Sequence, residues 1–211
     1  RVDTDGRYAA VCDYKTGSPK LSLNEIMEGL SLQLITYLLA LSKTKDTKDL
    51  LPAAMMYIYL HGRPKSISVP PNGIPHAKEK ENTNGIFLND PDVLRTLDSQ
   101  SGTDDGFIGV SYVKDGSVKK TSPVLTAEQF EALKALTEKI LIRLYSRLES
   151  GEIAIHPVKN GTLSPCSYCP YRSICRFDPA LPENSFDYIS KVSDKTIREK
   201  LDEEIKRNGK E

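Results

Sequence analysis

The 211-residue sequence lacks tryptophan, a long apolar run and an excess of charge of either sign. No stretch approaches the roughly 18 consecutive apolar residues that a membrane-spanning helix requires. The 29 basic residues are balanced by 29 acidic ones, whereas a freestanding protein that coats DNA without specificity is usually basic. A Walker-type phosphate-binding loop is also missing, so these residues do not form an ATP-driven motor. The composition predicts a cytoplasmic globular domain with one sizeable core.

Residues 7–15 (RYAAVCDYK) predict a buried strand, because an apolar run lies between two glycine-containing turns. Side chains alternate along a strand, so Asp13 and Lys15 should emerge on one face while Cys12 and Tyr14 point to the other. A carboxylate there can hold a hard divalent cation such as Mg²⁺, whose preferred ligands are oxygens. The neighbouring ammonium can offset the charge that develops on a scissile phosphate. The pair indicates metal-assisted phosphodiester cleavage, unless it is only a surface ion pair at a strand end.

A helix is predicted to follow over residues 23–42, where apolar residues recur at helical spacing. Ser22 and Glu25 have the spacing of a capping box at its start. Gly29 in the middle of this helix costs roughly 1 kcal/mol against alanine. It suggests that another backbone passes close to the helix at that point.

Two polar residues of this helix, Gln33 and Tyr37, lie four positions apart and therefore neighbour each other on one helix face. They lie near the apolar row through Ile26 and Leu30, so both are expected to face inward, where polar groups need partners. One interpretation is a glutamine satisfied by a loop carbonyl. The other is a pair that lines the proposed catalytic site.

Two stretches, VCDYKTGS at residues 11–18 and GLSLQLITYLLAL at residues 29–41, resemble the nuclease core of the RecB-type branch of the PD-(D/E)XK superfamily. Within that branch, the chain resembles the C-terminal nuclease domain of the AddB family, the second subunit of the bacterial AddAB helicase–nucleases. The similarity covers nearly the full length and includes residues 52–62 (PAAMMYIYLHG), 85–98 (GIFLNDPDVLRTLD), 114–133 (KDGSVKKTSPVLTAEQFEAL) and 165–182 (PCSYCPYRSICRFDPALP).

The resemblance implies an α/β fold, in which a restriction-endonuclease-like core has a mixed sheet flanked by helices and carries a cysteine-rich C-terminal segment. It implies that Asp13 binds Mg²⁺ or Mn²⁺, that Lys15 is the catalytic lysine, and that Gln33 and Tyr37 support the active site and nearby DNA. The implied activity is that of a metal-dependent DNA exonuclease that processes double-strand DNA ends for recombinational repair. The implied partner is an AddA-type helicase/nuclease subunit.

The chain departs from the family at its first residues. The family places a second metal-binding aspartate on the preceding strand, and that position would fall immediately before Arg1. Asp3 is present, but alternation puts it on the opposite face from that position, so it is not assigned the catalytic role. The resemblance therefore implies a piece of a longer protein, inactive or nearly so alone because half of its metal site is missing.

Three of the four cysteines, Cys166, Cys169 and Cys175, form a C-x2-C-x5-C pattern. Such a pattern favours a metal site in a reducing compartment over a disulfide framework. Thiolates at this spacing bind zinc or an iron–sulfur cluster, and His156 is a possible fourth zinc ligand, whereas Cys12 should be a buried structural thiol. The family resemblance implies a [4Fe–4S] cluster whose fourth cysteine lies upstream, outside this chain.

The remaining elements follow from apolar spacing and turn signals. The sequence predicts a strand at 53–60, an exposed excursion at 63–84, a helix at 91–97 capped at Asp90, and a hairpin of strands 107–113 and 117–122. A capping box of Thr126 and Gln129 begins a helix that stops at Gly151, with core residues Phe130, Leu133, Ile140, Leu144 and Leu148. Residues 1–188 are assigned to the nuclease domain, including the cysteine-rich iron–sulfur segment 156–182, and residues 189–211 to a charged tail that is a marginal helix or disordered.

Two other interpretations stay open. A Cas4-like standalone exonuclease shares the strand, the helix with its glutamine and tyrosine, and the cysteines, although the excursion after Gly62 favours the AddB family. A non-catalytic, zinc-stabilised interaction module would need only the cysteines, with Asp13 and Lys15 merely paired to each other.

Overall fold

The computed structural model describes residues 1–60, 83–103, 106–182 and 184–209. These residues form a five-stranded mixed sheet flanked by helices, which confirms the predicted α/β class. The strands lie in the sheet in chain order: β1 (Val2–Thr4), β2 (Tyr8–Lys15), β3 (Leu51–Tyr59), β4 (Thr83–Leu88) and β5 (Val124–Leu125). The pairs β1–β2 and β3–β4 are antiparallel, whereas β2–β3 and β4–β5 are parallel. The predicted excursion at 63–84 lies outside the described residues, except for its last two residues, which begin β4.

The two central strands, β2 and β3, are apolar runs that the fold covers on both faces. Val11 of β2 and Met55 of β3 are at most 1% exposed. Parallel strands need a crossover connection, and the chain makes it through α1 (Leu23–Met27) and α2 (Gln33–Lys43). The crossover therefore begins beside the carboxyl end of β2.

The single helix predicted over residues 23–42 is wrong, because the segment breaks into α1 and α2. Ser22 caps α1 as expected, with its hydroxyl accepting from the backbone amide three residues on at 3.4 Å. Gly29 then adopts a φ of +82° and Ser31 one of +48°, left-handed conformations that end a helix. A backbone passing close to Gly29 is also wrong, since a Cβ there would lie 3.5 Å from Ile140 Cγ2, an ordinary side-chain contact. Glycine is needed here for its backbone angle.

Two predicted helix starts are confirmed. Asp90 caps α3 (Pro91–Leu97), and its carboxylate accepts from the first backbone amides of that helix. Thr126 and Gln129 form the reciprocal capping box that begins α4 (Ala127–Glu149). Local side-chain chemistry sets both starts, because the caps satisfy amides that lack partners within the helix.

The last turns of α4 contradict the prediction that its whole apolar stripe is core. Phe130 and Leu133 are fully buried, but Leu144 is 38% and Leu148 is 80% exposed. In the described part of the chain, no other element covers these last turns. Although α4 spans 23 residues, neither it nor any other helix in the described ranges is apolar enough to cross a membrane.

The predicted hairpin is reduced to one bridge. Its turn forms, since the Gly116 amide donates to the Val113 carbonyl at 3.0 Å. The flanking segments then pair at the isolated bridge between Tyr112 and Val118, without forming strands.

A buried carboxylate organises the preceding loop in place of a strand ladder. Asp98 is 5% exposed and accepts from the backbone amides of Gln100, Phe107 and Ile108 at 3.0, 2.7 and 3.2 Å. The two bonds from Phe107 and Ile108 hold these residues against the end of α3. The backbone amides of these two residues are therefore not available for the strand pairing of a continuous hairpin.

The C-terminal segment, predicted as a marginal helix or a disordered tail, forms a packed helix, α6 (Asp194–Asn208). Ile197 and Leu201 are 1% and 0% exposed, and the helix contacts α4 and α1. Lys139 Nζ of α4 lies 2.7 Å from Glu204 Oε1. The predicted helix is confirmed, whereas its marginal or disordered character is wrong, because the few apolar residues all fall on one face and burial of that face outweighs the high charge content.

Candidate active site

The predicted acidic–basic pair lies at the carboxyl end of β2, where the strand leaves the core. Asp13 and Lys15 emerge on one face, with Lys15 Nζ 2.6 Å from Asp13 Oδ2. Their side chains are 25% and 29% exposed, so the pair lies at the boundary between core and solvent. Cys12, the residue before Asp13, is 1% exposed, which confirms that it is a buried thiol.

Gln33 and Tyr37, on the first turns of α2, join this pair through hydrogen bonds. Lys15 Nζ donates to Gln33 Oε1 at 3.0 Å, and Gln33 Nε2 donates to the Tyr37 hydroxyl at 3.1 Å. The structure therefore brings all four sequence-predicted residues into one connected series. The expectation that Gln33 and Tyr37 face inward is wrong, since both are exposed and Tyr37 is 45% accessible. The break at Gly29 changes the helical phase, so α2 turns its other face to the core.

Tyr57 of β3 belongs to the same cluster, and sequence analysis missed it. It pairs with Asp13 across the parallel ladder and projects from the same face. Lys15 Nζ lies 5.1 Å from the centre of its ring, a cation–π distance. The residue is 5% exposed, and burial raises the pKa of its hydroxyl, which keeps the ring neutral beside the ammonium. An apolar strand gives no local signal for this contact, because it depends on the register between two strands.

The environment of Lys15 fixes its charge. Contact with the Asp13 carboxylate raises the pKa of the Lys15 ammonium above its ordinary value. A lysine that stays protonated at neutral pH is suited to charge stabilisation and poorly suited to proton abstraction. Lys15 therefore stays positively charged. Among the described residues it contacts a carboxylate, an amide oxygen and an aromatic ring.

Asp13 supplies an oxygen suited to a divalent cation. Its Oδ2 is buried and has no hydrogen-bond partner among the described residues, and Lys15 Nζ lies 2.6 Å from it as an ion pair. An oxygen in this state keeps lone pairs for a hard cation. In the ranges that the structure describes, no three His, Cys, Asp or Glu side chains gather into a metal-binding group. Asp13 thus fits a single ligand of a cation such as Mg²⁺, which commonly keeps several waters and uses one or two carboxylates with substrate phosphates.

Asp3 lies on the other side of the sheet. It pairs with Ala10 of β2, so it shares a face with that residue and not with Asp13. Its carboxylate accepts from Arg1 Nε at 2.8 Å, and Arg1 also donates to the Tyr14 hydroxyl at 3.0 Å. The alternation expected from the sequence therefore holds, and Asp3 does not join the series.

Two side chains from the neighbouring strands fix the loop that follows Lys15. The Tyr59 hydroxyl donates to the Pro19 carbonyl at 2.6 Å, and Asn84 Oδ1 accepts from the Leu21 amide at 2.6 Å. Both bonds act on the chain between β2 and α1, so they determine how the crossover leaves the site. Like Tyr57, these residues are recognisable only once the strands are paired.

The three C-terminal cysteines occupy one short segment. Cys166 lies in a 3-10 helix (Pro165–Ser167), and Cys175 ends α5 (Arg172–Cys175). All three thiols are free; Cys166 and Cys169 are partly exposed, and Cys175 is exposed. The segment thus supplies thiols near the surface without assembling them around a common centre in the described structure.

The two other candidate ligands lie apart in different settings. Cys12 is in the core of β2, where burial raises the pKa of its thiol. His156 Nδ1 lies 3.1 Å from Ser185 Oγ, a hydrogen bond whose direction depends on the tautomer. Neither supplies a fourth ligand in the described arrangement.

The cysteine-bearing segment has its own small folded nucleus. The short strands β6 (Val158–Lys159) and β7 (Asp187–Tyr188) pair in parallel. The Phe186 ring packs edge to face on Phe177 and Tyr188, with centroids 4.8 and 6.0 Å apart. Aromatic packing therefore organises this segment independently of its thiols.

Comparison with known proteins identifies similar sequences in several bacteria. A Clostridium kluyveri protein, named as one subunit of an ATP-dependent helicase/deoxyribonuclease, is 33% identical over 217 residues, covering 97% of this chain and 19% of the relative. Proteins of the same name from Desulforamulus reducens and Clostridium acetobutylicum are 33% identical over 197 residues and 30% identical over 220 residues, covering 90% and 100% of this chain. The chain spans 17% to 19% of the length of these three relatives. Residues 1–176 match the PD-(D/E)XK nuclease superfamily, and the chain therefore belongs to that superfamily.

Proposed function

We propose that this chain is the nuclease module of a helicase–nuclease and that it hydrolyses DNA with the aid of Mg²⁺ or Mn²⁺. The observation that carries the proposal is the connected series of Asp13, Lys15, Gln33 and Tyr37 at the exposed end of β2. It joins an oxygen ligand, a fixed cation and two hydrogen-bonding groups on one accessible face. The relatives' names, which combine a helicase with a deoxyribonuclease, support the same substrate class.

Each residue of the series has a distinct chemical role in this proposal. A divalent cation bound here would polarise the scissile phosphate and lower the pKa of a bound water. Asp13 Oδ2 would hold that cation, and the Lys15 ammonium would offset the negative charge that develops on the phosphate. Gln33 orients Lys15 by accepting from Nζ. The Tyr37 hydroxyl accepts from Gln33 and retains its own hydrogen, which it can donate to a backbone phosphate of DNA.

The ladder between β1 and β2 indicates where a second carboxylate would lie. Val2 pairs with Val11; the N-terminal ammonium of Arg1 donates to the Cys12 carbonyl, and the Cys12 amide donates to the Arg1 carbonyl, both at 2.8 Å. Continuing this antiparallel register by one residue would put the position before Arg1 opposite Asp13, on the same face. An aspartate at that position would add the second oxygen ligand. We therefore expect the 211-residue chain alone to be inactive or nearly so.

A longer chain with an aspartate directly before Arg1 tests these roles. Lys15→Ala should lower Mg²⁺-dependent cleavage of linear duplex DNA by about 100- to 1000-fold, the usual effect of removing one preorganised charge-stabilising group. Lys20→Ala is the matched control, because Lys20 is an exposed lysine on the adjoining loop. Near-ultraviolet circular dichroism of each variant checks that the fold is preserved.

Two outcomes would overturn the assignment. Equal activity of the longer chain and its Lys15→Ala variant would remove Lys15 from the mechanism. Robust DNA cleavage by the unmodified 211-residue chain would show that no upstream carboxylate is needed, and would return Asp3 to consideration as a metal ligand.

The C-terminal cysteines carry a second part of the proposal. Cys166, Cys169 and Cys175 are three ligands of a [4Fe–4S] cluster whose fourth cysteine lies outside this chain. One ligand short, the 211-residue chain should not retain an intact cluster. Iron and sulfide analysis of a longer chain prepared without oxygen should find the cluster, whereas stoichiometric zinc in a colourless sample would identify a zinc site.

The proposed setting follows from the substrate. The module acts in the cytoplasm on double-strand DNA ends, beside an AddA-type helicase/nuclease subunit, and serves recombinational repair. Because these residues carry no phosphate-binding loop for ATP, strand separation must come from another part of the assembly.

A further inference from the structure

Among the described residues, the Lys15 ammonium contacts three groups, of which one is charged. Asp13 Oδ2 lies at 2.6 Å, Gln33 Oε1 at 3.0 Å, and the centre of the Tyr57 ring at 5.1 Å. The roles proposed above account for Asp13 and Gln33. They assign no role to the buried ring of Tyr57.

Metal binding changes the balance among these partners. When Asp13 ligates a divalent cation, its oxygen electrons are shared with that cation, and the ammonium meets a second positive charge nearby. The contact between Asp13 and Lys15 must then weaken. Lys15 is a long, flexible side chain, so it would move into solvent unless its neutral partners retain it.

We propose that Tyr57 is a positioning residue that retains Lys15 at the site when Asp13 ligates a divalent cation. This inference rests on the proposed function and adds a residue to it. The face of an aromatic ring attracts an ammonium without offering an oxygen ligand to the metal. Tyr57 can therefore hold the lysine without competing with Asp13, which a second carboxylate could not do.

The surroundings of Tyr57 make it a fixed reference for the lysine. The ring is 5% exposed in β3, in a row across the sheet between Asp13 of β2 and Asn84 of β4. The Asn84 side chain is held in place, because its Oδ1 accepts from the Leu21 amide at 2.6 Å. Gln33, in contrast, is exposed on the first turn of α2 and can follow Lys15 outward. Tyr57 is thus the partner that sets where the ammonium stays.

Nuclear magnetic resonance of the longer chain, which has an aspartate directly before Arg1, tests this directly. Protons beside an aromatic face resonate upfield, so the ε-methylene signal of Lys15 reports its contact with Tyr57, and the carboxyl carbon signal of Asp13 reports the metal. Adding MgCl₂ until the Asp13 signal stops changing should leave the Lys15 signal upfield. Tyr57→Phe keeps the ring and should preserve that shift, whereas Tyr57→Leu should lose it.

Activity of the longer chain gives a second readout. Tyr57→Leu should lower kcat by about tenfold with little change in KM, as expected for loss of one cation–π contact to a partly buried ammonium, and Tyr57→Phe should restore it. Met56→Ala is the packing control, because Met56 is equally buried on the same strand but points to the other face, and its truncation also removes buried atoms. A general loss of packing would lower the activity of Met56→Ala as well as that of Tyr57→Leu.

The outcomes separate this inference from the proposal beneath it. If the Asp13 signal does not change when Mg²⁺ is added, Asp13 does not ligate the metal. The retention role of Tyr57 is then overturned as well. An Asp13 signal that responds while Lys15 loses its upfield shift overturns the role of Tyr57 alone. Response at Asp13 with a retained shift at Lys15, lost in Tyr57→Leu, supports both.

Discussion

In the longer chain with an aspartate before Arg1, replacing Lys15 with methionine should strengthen metal binding while it lowers cleavage as strongly as Lys15→Ala does. In the structure Lys15 Nζ lies 2.6 Å from Asp13 Oδ2, so the ammonium occupies the space beside the oxygen that we assign to the cation. Lys15→Met keeps most of the side-chain volume and removes the charge. Asp13 is then free to bind the cation without first giving up an ion pair.

The size of the gain follows from the setting of the pair. Two unit charges at this distance attract by about 6 kcal/mol at an effective dielectric constant of about 20. Both side chains are about a quarter exposed, and ion pairs with such access to water are worth only about 1 kcal/mol. Solvent screening therefore decides the magnitude, and the affinity should rise about fivefold.

Paramagnetic broadening by Mn²⁺ measures this affinity without relying on cleavage. Signals around Asp13 should broaden at about fivefold lower Mn²⁺ in Lys15→Met than in the wild type. Lys20→Met, which removes an exposed lysine from the adjoining loop, should leave the midpoint near the wild-type value. An affinity that is unchanged or weaker in Lys15→Met would refute the reasoning, because it would show that the ion pair does not compete with the metal.

Three further predictions concern stability. Leu201→Ala should lower the free energy of unfolding by about 2–5 kcal/mol in urea titrations, because Leu201 is fully buried in α6; wild-type stability would show that α6 does not pack on the core. Asp98→Ala should cost about 1–3 kcal/mol in the same assay, since three backbone amides lose their acceptor, and a neutral result would contradict the assigned bonds. Lys139 and then Arg207 lower the pKa of Glu204 below its ordinary value of 4.5. The stabilisation is therefore present above about pH 4.5 and is lost as the pH falls through the lowered value, so the stability gap between wild type and Glu204→Gln should shrink in acid; a constant gap would contradict it.

Features with a local cause were predictable from the sequence. The strand that carries Asp13 and Lys15 follows from an apolar run between turn signals, and the starts of α3 and α4 follow from side chains that cap their first amides. The helix pair of Gln33 and Tyr37 was found through a short family motif, and the structure brings it to Lys15. Each of these signals is contained within a few consecutive residues.

Features that depend on contacts between distant residues were not predictable. Glycine at position 29 is compatible with a helix interior or a helix end, and only the observed φ distinguishes them. The exposure of Gln33 followed from that break. Tyr57 belongs to the site because β3 pairs with β2 in one particular register. The packing of α6 likewise depends on a surface of α4 that its own charged sequence does not reveal.

The position of α6 has a practical consequence for defining this unit. The superfamily match ends at residue 176, yet α6 begins at Asp194 and contributes two nearly inaccessible side chains to the interior. A protein truncated at the boundary of the match would expose the apolar surface of α4 that α6 covers. Such an exposed surface promotes aggregation. The folded core thus extends beyond the region that the superfamily match delimits, and expression boundaries for this unit belong beyond residue 208.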